Sequence, residues 1–434
     1  MAATLLLVGD IHLGRRPGGL PGELAGWGLA PSGLTPSAAW RATVDLALRR
    51  RVDAVVLAGD VVEADNARFE AFGPLEQGVR RLVEGGIGVW AVAGNHDVEA
   101  LPRLADLIPG FRLLGRNGSW EQATVSRDGA TLLHLLGWSF PTRLHRSSPL
   151  ESGPLPTPPD DGLPLIGVMH CDLDGSGSPY APVKRSDLER LPVDGWFLGH
   201  VHKPSELDET RPLGYLGSLV GLDPTETGSH GPWLLNVAPG ALSLEHVPLA
   251  PLRWEEVGLD LSGLAGPEEL QAAMIGGLKA LHERLGPVVG EARAVGCRVR
   301  LAGSTKFSTE PRTQLDQEGA EKFAFKQDDV LYFVEKVVDD TVPALDLERI
   351  AAGEDPPALL ARRLLKLRGG GETDLLREAG RALDRSASAP WWQRLGGAAL
   401  DDDRVRELLF AAGMRALAEL LAQAPASGPG EGGA

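Results

Sequence analysis

"LVGDIHLG" (residues 7–14) closes an apolar run and sets an aspartate and a histidine two positions apart. Leu5, Leu6, Leu7 and Val8 read as a buried strand, because an unbroken apolar run is what a strand covered on both faces requires. Asp10 and His12 then stand at the mouth of the turn that follows. The pattern recurs along the chain. "VDAVVLAGD" (52–60), "IGVWAVAGN" (87–95), "LPLIGVMH" (163–170) and "DGWFLGH" (194–200) are apolar runs that each close on a polar residue. The polar ends are Asp10 and His12; Asp60; Asn95, His96 and Asp97 in "GNHD"; His170; and His200 and His202 in "GHVH".

Helical patterns separate these strands, at "PSAAWRATVDLALRRR" (36–51) and at "ARFEAFGPLEQGVRRLVEGG" (67–86), the second interrupted near Gly73-Pro74. The arginines at 49–51 sit at a helix end, where cations are favoured. "TLLHLLGW" (131–138) reads as a further strand, with His134 in the core. Alternation of this kind predicts a layered α/β fold. Ligand sites in such folds collect at the carboxyl ends of strands. Five strand ends therefore predict one rim offering carboxylate oxygens, an amide oxygen and imidazole nitrogens. That mixture suits manganese, iron or zinc better than calcium or magnesium alone. No thiolate lies among these residues, so a structural zinc site is a poor match. Taken singly, Asp10 or Asp60 reads as a cap, "GNHD" as a turn and His170 as a core histidine. Their conjunction, in order and each at a strand end, is what specifies a site.

The bulk properties agree with a globular protein. The 434 residues allow two or three domains and a large core. Apolar residues make up 43% and charged residues 24%, with no run near the ~20 residues a membrane span needs. No basic segment precedes the first apolar run, so no secretory leader is expected. Two distant cysteines, Cys171 and Cys297, exclude a disulfide framework and fit a reducing, cytoplasmic setting. A net charge of −16 argues against coating of the whole surface by nucleic acid, while leaving room for a local basic groove.

Organisation along the chain reads as a first domain over 1–250, an α+β capping domain over 251–345, a helical segment over 346–423 and a disordered tail over 424–434. The first domain closes with a hairpin, "GPWLLNVAPGALSLEHVPL" (231–249). The second holds a helix at 266–286 and strands at 296–303 and 330–338. "ESGPLPTPPDDGLP" (151–164) is a proline-rich loop, and "HCDLDGSGSPY" (170–180) a Gly/Ser loop suited to gating. His230 is expected at the surface, and Trp391-Trp392 on a packing or partner face.

Set in order, DxH, GD, GNHD, a later His and GHxH resemble the signature of the calcineurin-like metallophosphoesterases. The resemblance implies a four-layer β-sandwich flanked by helices and a centre of two divalent ions, Mn2+ first, with Fe2+, Zn2+ or Mg2+ as alternatives. It implies that Asp10, His12 and His202 hold one ion, that Asn95, His170 and His200 hold the other, and that Asp60 bridges them. Two such ions clamp a phosphoryl group and lower the pKa of a bound water. His96 would face the leaving-group oxygen as general acid, and Asp97 beside it would orient the imidazole.

Three further stretches are similar to SbcD-like DNA-repair exonucleases: "YAPVKRSDLERLPVDGWFLGHVHKP" (180–204), "YLGSLVGLDPTETGSHGPWLLNV" (215–237) and "VPALDLERIAAGEDPPALLARRLLKL" (342–367). Leu216 departs from the proline common there, and Glu63 stands where some relatives carry a histidine near the substrate. On its own Glu63 reads as a solvated carboxylate at a helix start. This narrower resemblance implies a 3′–5′ DNA exonuclease, with single-strand endonuclease activity as an option, in double-strand-break repair. It implies DNA binding by the capping domain over 251–345, an SbcC-like ATPase as partner for the helical segment 346–423, docked on short amphipathic helices within 346–367, and a homodimer as a further option. The alternatives are a phosphoesterase for a cyclic nucleotide, small phosphodiester or phosphoprotein, and a non-catalytic scaffold for an ATPase.

Overall fold

Along the strand Ala3–Val8, alternate side chains enter two different cores. Leu6 and Val8 pack with helices, whereas Ala3, Leu5 and Leu7 pack with a second sheet. This is why the run is apolar without a break. Leu5, Leu6 and Leu7 are each 0% exposed, and full burial of such a side chain stabilises by ~1.5–3 kcal/mol.

The structure, a computed structural model, describes residues 2–22, 24–63, 70–208, 210–238, 240–306, 323–387 and 401–423. Its N-terminal elements are β1 (Ala3–Val8), α1 (Pro36–Arg50), β2 (Ala54–Ala58), α2 (Phe72–Glu84), β3 (Gly88–Val92), α3 (Leu101–Leu107) and β4 (Phe111–Leu113). They continue with β5 (Trp120–Arg127), β6 (Ala130–Trp138), β7 (Leu165–His170), β8 (Asp172–Leu173), β9 (Pro182–Val183) and α4 (Arg185–Glu189). β10 (Gly195–Gly199), β11 (Leu213–Tyr215), β12 (Trp233–Ala238) and β13 (Ala241–His246) follow.

One sheet has the order β13-β12-β1-β2-β3-β4, and a second the order β11-β10-β7-β6-β5. β1 to β4 run parallel to one another, with Val8 beside Leu57 and Leu57 beside Ala91. β6, β7, β10 and β11 are likewise parallel, with His170 beside Gly199. The single rim expected from the sequence is therefore built from two sheets, β1, β2 and β3 on one side and β7 and β10 on the other. Between the sheets lie Leu5, Leu7, Val56, Leu135, Val168 and Phe197. Trp40 and Val44 of α1, Leu75 and Val79 of α2 and Leu101 of α3 cover the outer face of the first sheet. Loops and α4 cover that of the second, around Trp138, Trp196 and Leu188. The sandwich architecture expected from the resemblance is present.

α1 begins where the sequence expects: the Thr35 hydroxyl accepts from the Ala38 amide, and Pro36 takes the first turn. It ends at Arg51 in the left-handed region, with Arg49 and Arg50 in its last turn. α2 differs from expectation. Gly73-Pro74 does not interrupt it but lies in its first turn, where proline's missing amide costs no helical hydrogen bond. Residues 67–69 of the expected helix lie outside the described residues. The hairpin forms as expected from β12 and β13.

The chain divides into two compact units, each considered by itself. The first comprises Met1–Val257, Leu278–Arg298 and Glu321–Lys336; the second comprises Gly258–Gly277, Val299–Ala320 and Val337–Ala434. Strands Leu252–Asp260, Ala294–Ala302, Val330–Asp339 and Ala324–Gln327 form a four-stranded sheet, and Leu270–Leu285 is the expected helix. In the second unit the short helices Leu347–Ala351 and Pro356–Arg368 form as expected, separated at Asp355, which caps the latter. Their apolar face differs from the expectation of a free docking face. Leu347 and Leu364 are buried against Met414 and Leu417 of the helix Asp402–Gln423, leaving Leu359 exposed. Trp391-Trp392 and the tail 424–434 lie outside the described residues. Among the described residues no helix is long and apolar enough to cross a membrane.

Candidate metal centre

Each strand of the rim delivers its side chain through a constrained turn. After β1, Asp10 is fully buried, and both its carboxylate oxygens accept the His200 amide, at 3.0 and 3.1 Å. The His12 amide donates to the Asp60 carbonyl at 2.9 Å, tying the turn after β1 to the turn after β2. His12, Asp60 and His200 all hold positive φ, at 51°, 48° and 108°. Such backbone costs ~1–3 kcal/mol per residue and concentrates at functional sites. Glycine would relieve it but could not supply the ring or carboxylate. Close packing constrains the same turns: a Cβ on Gly59 would lie 2.6 Å from His170 Nδ1, and one on Gly94 would strike the Asp60 carboxylate.

Three imidazoles share one orientation. His12 Nδ1 lies 3.1 Å from Glu63 Oε2, His202 Nδ1 lies 2.7 Å from Glu226 Oε1, and His170 Nδ1 lies 3.1 Å from the Ala58 carbonyl. Carboxylates and carbonyls only accept, so Nδ1 carries the proton in each ring and Nε2 is left with the lone pair. All three Nε2 atoms point inward. His12 Nε2 faces His202 Nε2 at 3.1 Å, while His170 Nε2 faces Asn95 Oδ1 at 3.1 Å. Asp60 Oδ2 lies between the two sets, 3.4 Å from His170 Nε2 and 3.8 Å from His12 Nε2. Its other oxygen accepts the His96 amide at 2.9 Å.

Two lone pairs opposed at 3.1 Å repel unless a cation or proton lies between them, and this spacing matches neighbouring ligands of an ion that binds nitrogen at ~2.0–2.1 Å. Protonation behaviour points the same way. Burial pushes the Asp10 carboxyl up to about 7, with Asp60 adding and His202 and His12 opposing. Burial works against charge on His202 too, yet Glu226 and Asp10 outweigh it and hold the ring up at about 9. A centre that gathers protons onto such groups lacks positive charge, which divalent ions would supply. Asp10, His12 and His202 form one set of converging ligand atoms, and Asp10, Asp60 and His170 another. The donor set fits the implied ions.

His200 joins less directly. Its ring packs at 5.3 Å against His170 and at 5.1 Å against Tyr180, and burial lowers its pKa to about 4, keeping it neutral. It is absent from the sets whose ligand atoms all lie within 4.8 Å of one another.

His96 stands at the mouth, with 32% of its side chain exposed and its Nδ1 2.9 Å from Glu63 Oε1. That hydrogen bond raises its pKa against burial, with Asp60 adding; the charge of Arg143 opposes. Asp97 does not orient this ring. Its carboxylate accepts the amides of Gly94 at 2.8 Å, Val61 at 2.6 Å and Val62 at 3.4 Å, so it braces the loops that carry Asp60 and Asn95. Burial, then the charge of Asp60, push its carboxyl up to about 8 against those amides.

Sequence reasoning treated Glu63 as solvated. Here it is the clamp between His12 and His96, and their hydrogen bonds hold its carboxyl well below the usual range. Glu226 was not singled out at all. His230, expected at the surface, is 2% exposed and places Nε2 3.1 Å from the Glu226 carbonyl, bracing the loop that orients His202.

Residues 3–204 match the family described as calcineurin-like phosphoesterase. Over 225 residues the chain is 29% identical to an uncharacterized metallophosphoesterase, YhaO, of Bacillus subtilis (strain 168); the match covers 51% of this chain and 54% of that relative. The chain thus spans about half the length of that curated relative. A dimetal phosphatase from Danio rerio is similar at a TM-score of 0.35, with 14% identity, covering 56% of this chain and 95% of that one. The phosphoesterase Yfce from E. coli gives a TM-score of 0.27 and 16% identity, covering 57% and 93%. Residues 3–204 are thus similar to the calcineurin-like phosphoesterases, and the converging ligand atoms of Asp10, His12, Asp60, His170 and His202 all lie within that stretch.

Proposed function

We propose that the protein is a DNA nuclease, a phosphodiesterase that works from 3′ ends and depends on two divalent ions, with manganese the first choice. The observation that carries the two-ion reading is the position of Asp60 Oδ2, 3.8 Å from the inward-facing His12 Nε2 of one ligand set and 3.4 Å from the inward-facing His170 Nε2 of the other. Asp10, His12 and His202 would hold one ion, and Asn95, His170 and His200 the other. Bound there, the ions would supply neutralisation of phosphoryl charge and acidification of water. The protein's own part is orientation and proton delivery. Glu63 and Glu226 fix the imidazole tautomers, and the Gly94, Val61 and Val62 amides on Asp97 hold the loops in register. His96, raised in pKa and open to solvent, can give a proton from Nε2 to a departing alkoxide while its Nδ1–H stays on Glu63. DNA as substrate is supported by the resemblance of 180–204, 215–237 and 342–367 to SbcD-like exonucleases.

The proposed ATPase partner would meet the outward surface of the 346–423 segment, where Leu359, Leu408 and Leu420 are exposed, because the inner apolar face is occupied. Purified protein with Mn2+ should degrade 3′-labelled linear DNA and hydrolyse bis-p-nitrophenyl phosphate. Hydrolysis of the small ester alone, with linear and single-stranded DNA intact, would sink the nuclease reading and favour another phosphoester substrate.

A further inference from the structure

A cleft of about 560 Å³ opens beside the turn that carries His12, lined by Arg15, Arg16, Ser32, Ser37, Arg41 and Glu70 among others. The chain carries a net charge of −16, yet among the described residues this cleft gathers three arginines against one glutamate. Only Arg16 is paired, with Glu70 at 3.4 Å, and both side chains remain largely exposed. Among the described residues, Arg15 and Arg41 form no side-chain hydrogen bond or ion pair; the charge of Arg15 is felt at a distance by Asp223. In a chain of net negative charge, two guanidiniums thus lie in a concave place with no side-chain partner among the described residues.

The cleft is also close to the metal rim. The Arg15 amide donates to the His12 carbonyl at 3.0 Å, so a tight turn separates the ligand from the first arginine. Three residues of even fully extended chain span only ~11 Å. Successive phosphates of one strand follow at ~3.4 Å of helix rise. A strand held at the metal rim by one phosphate can therefore lay a neighbouring phosphate within reach of Arg15, and Arg41 lines the same cleft. A guanidinium offers a planar fork of donors that matches phosphate oxygens.

We infer that this cleft binds a phosphate of the substrate other than the one being cleaved, making the preferred substrate a polyanion such as an oligonucleotide. The inference rests on the nuclease reading above and adds to it a second phosphate contact outside the metal rim. Arg15→Ala, Arg41→Ala and the double variant would be compared with wild type on bis-p-nitrophenyl phosphate and on a single-stranded 20-mer, with Mn2+ present. Both side chains are exposed, so truncation removes charge without opening the core; thermal melting checks folding. Each single variant should raise KM on the 20-mer about tenfold with kcat held, and flatten the salt dependence by ~0.7 per lost phosphate contact. Small-ester kinetics should stay within about twofold, as no second phosphate is present to lose.

An unchanged KM and salt slope in the double variant, or an equal loss on the small ester, overturns the inference. If wild type cuts linear duplex DNA but not the 20-mer, the same comparison is made on the duplex; if it leaves both intact, the nuclease reading fails and the cleft is judged separately. Inhibition of small-ester hydrolysis by inorganic tripolyphosphate should then weaken about tenfold in the double variant, and unchanged inhibition overturns the cleft as an anion site.

Discussion

Glu63 and His96 are joined at 2.9 Å, and through its second oxygen the same carboxylate holds His12 at 3.1 Å. One side chain thus sets the tautomer of a candidate metal ligand and of the candidate acid. Glu63→Gln keeps the shape and removes the charge. Loss of such an orienting partner typically costs ~10–100-fold in activity or metal affinity. Turnover should fall in that range, and further on a substrate with a poor leaving group than on p-nitrophenyl esters. Glu63→Asp, too short to reach both rings, should fall between. Steady-state kinetics of Glu63→Gln within twofold of wild type would show that the clamp has no function.

His96→Asn should keep bound metal, measured by elemental analysis, while losing ~10²–10⁴-fold in turnover on DNA, the usual contribution of a general acid. The loss should shrink on bis-p-nitrophenyl phosphate, because p-nitrophenolate leaves without a proton. Equal losses on both substrates would assign His96 to substrate positioning.

Asp60 stands between the two ligand sets, whereas His170 belongs to one. Asp60→Asn should therefore lower the metal content at both positions, and His170→Ala mainly at one. Full occupancy by two ions in Asp60→Asn would remove the bridging assignment.

His246 offers a pH test away from the centre. Its ring packs at 4.8 Å on Trp233, Nε2 is buried without a hydrogen-bond partner among the described residues, and burial lowers its pKa from 6.5 to about 4. A histidine depressed in the folded state stabilises above its unfolded pKa, and that stabilisation is lost as pH falls through the folded value. The window is therefore about pH 6.5 down to about 4. The full shift corresponds to about 3 kcal/mol at most. His246→Phe, which cannot charge, should lose less stability than wild type across that window in urea titrations. Parallel acid limbs for the two proteins would show that His246 is not responsible.

The rim was legible because each of its side chains follows an apolar run directly, so strand period and polar ending coincide at Asp10, Asp60, Asn95, His170 and His200. What was not legible depends on contacts distant in sequence. Glu226 reaches His202 across 24 positions, inside a segment with no strand signal of its own. β5, "WEQATVSR", buries only Trp120 and Val125, so its pattern carries too little alternation to read as a strand. Asp97 was assigned to its neighbour His96 because adjacency is all a sequence offers. In space its carboxylate meets amides 36 and 35 positions away as well as that of Gly94. The packing of Leu347 and Leu364 on Met414 and Leu417 is illegible for the same reason, since the two sets of residues lie some fifty or more positions apart.

The two-sheet rim has a thermodynamic corollary. β1, β2 and β3 supply ligands from one sheet and β7 and β10 from the other, so any cation held by both sets is a crosslink between halves of the sandwich. The unfolded chain keeps no such juxtaposition, and a ligand that binds only the native arrangement stabilises by RT ln(1 + [L]/Kd), about 2.7 kcal/mol at a hundredfold excess over Kd. Melting temperature should therefore climb with free Mn2+ and drop on chelation. The dose at which it climbs reports affinity without any turnover being measured, so an inactive variant can still be ranked by how firmly it rivets its two sheets.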